Sequence, residues 1–107
     1  EEPLGDGQLS ILIGRTDMWH RGYGTAGVQA TLDMAFNELG IYRIWVDIPE
    51  YNQAARSMFA HIGFVHEGTL RQSRPHKGVR HDSVVMGMLS AEYAQRSQED
   101  STEARTA

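Results

Sequence analysis

The order of patterns between residues 9 and 48 restricts what this chain can fold into more than any other feature. An apolar run, Leu9 to Gly14, reads as a strand, and the glycines and aspartate before it, Gly5, Asp6 and Gly7, read as a turn. A glycine-rich stretch follows: Trp19, His20, Arg21, Gly22, Tyr23, Gly24, Thr25, Ala26 and Gly27. Val28, Leu32, Ala35, Phe36 and Leu39 then recur as one stripe of an amphipathic helix closed by Gly40. Ile41 to Ile48 is again rich in β-branched and aromatic residues, with Ile44, Val46 and Ile48 on one face and Pro49 as a stop. Strand, helix, strand in that order predicts a parallel, right-handed unit. A glycine turn that opens its helix presents free backbone N–H groups at the positive end of the helix dipole, which suits phosphate. A side chain at Gly22 or Gly24 would hold the backbone away from the phosphate oxygens, and Arg21 adds a fixed positive charge.

This turn admits two readings. Gly22, Gly24 and Gly27 spell GxGxxG, and Asp47 follows about twenty residues later, where a dinucleotide-binding oxidoreductase places its ribose-binding acid. Against that reading, Arg15 to Arg21 separate the apolar run from Gly22, whereas a dinucleotide turn needs its first glycine almost at the strand end.

The second half of the chain supplies further motifs. Asn52 reads as an N-cap, Ala55, Met58, Phe59 and Ile62 as the inner stripe of a second helix, and Gly63 as its C-terminal end. Two strands are predicted after it, Phe64 to Gln72 and Arg80 to Leu89, joined by a turn through Pro75, His76, Lys77 and Gly78. The pattern NxxAxxxFxxxGF (Asn52, Ala55, Phe59, Gly63, Phe64) continues into His66, Glu67 and Gly68, and a late GxxxDxxxM falls on Gly78, Asp82 and Met86. Together with the ILIG run and the WHRGYGT turn, these motifs resemble the GNAT superfamily of acetyl-CoA-dependent N-acetyltransferases. The similarity is greatest to the RimJ/RimL-like branch, which acetylates ribosomal-protein N-termini and similar amines. It covers residues 9–93, the C-terminal portion of such a domain.

The resemblance implies an α/β fold with a GNAT-like mixed sheet in the order strand-helix-strand-helix-strand-strand, the N-terminal half of the fold being absent. Residues 1–8 are then a linker or turn, 9–93 a partial acetyltransferase domain, and 94–107 a disordered tail. It implies acetyl-CoA as cosubstrate. The main chain of Ile11, Leu12 and Ile13 would align the pantetheine arm, and Arg21, Gly22, Tyr23, Gly24 and Thr25 would wrap the pyrophosphate. Asn52 and Phe59 would meet the cofactor arm. Relatives carry tyrosine where this chain has Phe59, so the role of the acid that would protonate the departing thiolate is unfilled or falls to water, and they carry glutamate where this chain has Ala26, another acid or base absent here. Asp47 and Glu50, near the end of the second predicted strand, are the candidates for a base, and His81 and Asp82 for contacts with an acceptor amine. A noncatalytic CoA-binding or assembly module is the alternative reading. The absent half implies completion by another polypeptide, either a second copy in a homodimer or the missing N-terminal segment.

Composition narrows the class without naming an activity. The chain has 107 residues, 40% of them hydrophobic, and no apolar run of the about eighteen residues a membrane span needs. It has no cysteine, which removes disulfides and thiolate metal sites and suits a reducing cytoplasm. A net charge of -4 argues against a nucleic-acid surface. The five histidines form no HxxxH or HxH pair, so no metal site is expected.

Overall fold

The computed structural model describes residues 4–9 and 24–96. In chain order the elements are β1 (Leu4–Gln8), α1 (Thr25–Asp33), a π-helical turn (Met34–Glu38), β2 (Ile41–Pro49), α2 (Gln53–Ile62), β3 (Val65–His76) and β4 (Val79–Leu89). A short helix, α3, covers 90–96. The four strands form one mixed sheet in the order β1-β2-β4-β3, with β1 parallel to β2 and the other pairs antiparallel.

The register between β2 and β4 builds the core directly. Ile44 stands opposite Met88, Val46 opposite Met86 and Ile48 opposite Val84, and all six are buried. Because strand side chains alternate with period two, these pairs line one face of the sheet. Val28 and Leu32 of α1, Ala35 and Phe36 of the π-helical turn, and Phe59 and Ile62 of α2 belong to the same buried cluster.

The first strand lies elsewhere than the apolar pattern suggests. Gly5, Asp6 and Gly7, read from sequence as a turn, sit inside β1, and Leu9, expected to begin a strand, is a fully buried residue just beyond its end. The pairing Leu4↔Ile41 to Gln8↔Trp45 explains the shift. An edge strand is held mainly through its backbone, where glycine costs little packing, and the register is fixed by Asp6 accepting from Arg43 at 3.0 Å. Residues 10–14, the rest of the expected strand, lie outside the described residues, as does the part of the expected tail from residue 97 onward. Gln95 and Arg96, assigned from sequence to that tail, are helical.

Leu39 also departs from expectation: it is 46% exposed instead of completing the helical stripe. Its N–H donates to the Met34 carbonyl at 3.0 Å, an i→i−5 bond. The wider turn rotates the last residue off the 3.6-residue stripe.

At α2 local chemistry and structure agree. The Asn52 side chain accepts from the Ala55 N–H at 3.1 Å, and Gly63 closes the helix at φ 125°, a conformation other residues adopt only under strain. The hairpin between β3 and β4 is tighter than expected, because Pro75 and His76 continue β3. Only Lys77 (φ 53°) and Gly78 (φ 81°) form the turn, both in the left-handed region of a two-residue hairpin.

Candidate functional site

The pairing of β1 with β2 ends at Gln8↔Trp45, whereas β2 continues to Pro49. A cleft of about 610 Å³ opens at this place, lined by Gln8, residues 46–49 of β2, Asn52, Ala55 and Phe59 of α2, and Ser73, Arg74 and Pro75 of β3. Parallel strands that separate part-way leave main-chain donors and acceptors facing the gap, and an extended ligand can take them up as an added strand would.

The base of the cleft is apolar. Phe59 is buried and meets Phe64 edge-on with ring centroids 5.1 Å apart. Asn52 lines the wall with its side chain committed to the Ala55 N–H, so capping accounts for one of its acceptor sites and leaves its amide N–H groups for other partners.

The polar side of the cleft arises from a distortion in β3. Its pairing with β4 shifts register between Leu70 and Arg74, and Gln72 takes φ 52°. Two β4 side chains hold that residue in place: Asp82 Oδ1 accepts from the Gln72 N–H at 2.8 Å, and Arg80 Nε donates to the Gln72 carbonyl at 2.8 Å. Beyond the distortion Arg74 reaches across β4 to β2. Its Nη2 lies 3.1 Å from the Asp47 carbonyl oxygen and 3.4 Å from Asp47 Oδ1, and its Nε 3.3 Å from Ser83 Oγ. Ser83, fully buried, also meets Ser73 Oγ at 2.7 Å. Gln8 Nε2 adds a further donor to Asp47 Oδ1 at 3.4 Å. The Asp47 carboxylate is thus faced by an arginine and an amide, which occupy its Oδ1.

Glu50, the second acidic candidate, stands in the turn just past β2, next to the cleft-lining Pro49. Its Oε1 is 3.3 Å from His81 Nδ1, and its backbone N–H donates to the Asp82 carbonyl at 3.0 Å. Tyr51 fills the space beside this pair, stacked on His76 and edge-on to His81, each at 4.9 Å between centroids.

The structure therefore brings Asp47, Asn52 and Phe59 into one cleft, while Glu50 and His81 pair with each other outside its lining, next in chain to Pro49 and opposite Arg74. Asp82 holds backbone instead of facing the opening. Gly24 and Thr25 open α1: Gly24 is the N-cap, exposed, and among the described residues no side chain caps the first-turn N–H groups. Ile11, Leu12, Ile13, Arg21, Gly22 and Tyr23 lie outside the described residues. Sequence reasoning missed Arg74, Ser73 and Gln8. No local pattern marks them, because the strand register alone carries Arg74 to Asp47. Among the described residues no group of three histidine, aspartate or glutamate side chains could hold a metal ion, and no helix is long and apolar enough to cross a membrane.

Comparison with known proteins gives consistent matches. A family model described as an acetyltransferase (GNAT) domain matches residues 1–65. The uncharacterized N-acetyltransferase p20 of Bacillus licheniformis is 28% identical over 94 residues, covering 88% of this chain and 52% of that protein. Among solved structures, mutant forms of the spermidine/spermine N-acetyltransferase SpeG from Vibrio cholerae superpose with a TM-score of 0.68 at 26% identity, over 76% of this chain and 47% of that one. An acetyltransferase (GNAT family) from Bacillus anthracis gives 0.60 at 26% identity, over 71% and 46%. The chain thus spans about half the length of these relatives.

Proposed function

Because this chain belongs to the GNAT acetyltransferase family, we propose that it binds acetyl-CoA and serves the transfer of the acetyl group to a primary amine. The opening between β1 and β2 carries this reading, since it offers an extended main-chain edge along β2 and an apolar base at Phe59 that suit a thioester arm. The uncapped start of α1 at Gly24 fits the pyrophosphate, where backbone N–H groups and the helix dipole favour negative charge. The chain's own residues would bind and orient the arm, keep water from the apolar base at Phe59, and present carboxylates toward an incoming ammonium.

For the acceptor we favour a polyamine. A net charge of -4 and the acidic side chains Asp47 and Glu50 suit a polycation, and the SpeG protein that this fold resembles is a spermidine/spermine N-acetyltransferase. Incubation with acetyl-CoA and spermidine, followed by mass spectrometry, is expected to yield N-acetylspermidine. Binding of acetyl-CoA with no acetylation of spermidine, spermine or a peptide N-terminus would instead support a CoA-binding module without turnover. Phe59 favours that second reading, as it has no proton to give a thiolate.

The outer edge of β1 has no strand beside it among the described residues. An unpaired parallel edge of this kind is a pairing site, and we propose that a second copy or an N-terminal segment of the fold covers it. Sedimentation at micromolar concentration tests this: a cooperatively melting monomer would contradict it.

A further inference from the structure

We infer that His81, oriented by Glu50, is the group that takes the proton from the acceptor amine, an inference that rests on the acetyl-transfer reading above. An amine that arrives as an ammonium ion cannot attack a thioester until it loses a proton, so the site needs an acceptor beside the cleft. Asp47 is poorly placed for that task, being faced by Arg74 and Gln8. The Glu50–His81 pair adjoins the residues that line the cleft. Glu50 follows Pro49, which lines the cleft, and His81 is the cross-strand partner of Arg74, which lines it too.

The contact also decides which nitrogen is available. Nδ1 lies 3.3 Å from Glu50 Oε1. A neutral imidazole facing an ionised carboxylate donates its N–H to it, which leaves the lone pair on Nε2. Glu50 thereby fixes the tautomer and the orientation of the ring, the role a carboxylate plays behind a general-base histidine. Tyr51 limits rotation of the ring, packed edge-on against His81 and stacked on His76, whose ring also meets His81 edge-on at 6.2 Å between centroids. His81 is itself partly buried, with 27% of its side chain exposed against 43% for Glu50, so the ring is shielded without being sealed off.

The step balances without any further reagent. The alkylammonium gives its proton to Nε2 directly or through one water. The neutral nitrogen then forms the N–C bond to the acetyl carbon while the C–S bond breaks. The nitrogen's second proton passes to water, and the CoA thiolate leaves with the electron pair and is protonated by the imidazolium or by solvent. His81 is the catalytic residue in this scheme and Glu50 a positioning residue.

The test compares the chain with its His81→Ala and Glu50→Gln variants, using spermidine as acceptor and, in parallel, direct titration of acetyl-CoA. His81→Ala is expected to lose about 100-fold or more in kcat, within the range of a removed general base. The KM for acetyl-CoA should not move, and added imidazole should restore part of the rate. A merely structural role would not respond to imidazole. Glu50→Gln is expected to lower kcat by about tenfold, with Glu50→Asp recovering most of it. Rates for His81→Ala within twofold of the parent chain would overturn the inference while leaving the acetyl-transfer reading intact. A parent chain that binds acetyl-CoA but acetylates no amine would overturn it as well. Failure to bind acetyl-CoA at all would defeat the underlying reading, a distinct result seen in the titration alone.

Discussion

Phe59→Ala is expected to lower stability by about 3–5 kcal/mol, the usual cost of truncating a buried phenylalanine. The residue is 2% exposed, anchors α2 to the sheet and supports Phe64 at 5.1 Å. Its removal deletes the aromatic pair and joins the vacated volume to the cleft, so the lost transfer energy and the cavity term add. A single small core leaves little reserve, and a loss of this size is comparable with the whole stability of many domains. Urea denaturation checks it, and a shift below about 1 kcal/mol would show that the cleft base repacks around alanine. Phe59→Leu, which keeps most of the apolar volume, should cost far less.

Gly24→Val is expected to weaken acetyl-CoA binding by about 100-fold or more, roughly 3 kcal/mol, while changing the melting temperature of the free chain little. The two effects separate because of where Gly24 sits. Its backbone, φ −71° and ψ 150°, is one that valine adopts without strain, and an added Cβ would meet nothing within 4 Å among the described residues. The folding cost is then only the loss of a favourable N-cap residue, under about 1 kcal/mol. A ligand phosphate seated on the first-turn N–H groups would meet the valine methyls directly. Arg21→Ala should reduce binding much less, since backbone donors remain. A Gly24→Val chain that binds acetyl-CoA with unchanged affinity would place the pyrophosphate elsewhere.

What could be read from the sequence was the chemistry that acts over a few residues. Asn52 and Gly63 bracket α2 because a side-chain cap and a positive-φ glycine act within one turn of the helix. Ile44, Val46 and Ile48 gave the buried face of β2 because strand alternation needs no knowledge of the partner. The features that escaped depend on partners distant in sequence. Gly5 and Gly7 look like turn residues until β2 offers them a parallel edge, and Asp6 finds Arg43 37 positions away. Arg74 and Asp47, 27 residues apart, meet only because Gln72 distorts β3, and that distortion is maintained by Asp82 and Arg80 on the next strand. Leu39 left its stripe because one i→i−5 bond changed the helical phase, which residue spacing does not encode. Within the candidate site, motif residues marked the apolar wall, and strand register supplied the polar side.

The central claim, that this chain holds acetyl-CoA in the opening beside β2, is tested most directly by isothermal titration of the purified chain with acetyl-CoA, CoA and NAD. The account predicts saturable binding of acetyl-CoA and CoA, with a matching rise in melting temperature by mass action, and none for NAD. Binding of NAD without binding of CoA would contradict it, and would return the GxGxxG of Gly22, Gly24 and Gly27 to a dinucleotide-binding role.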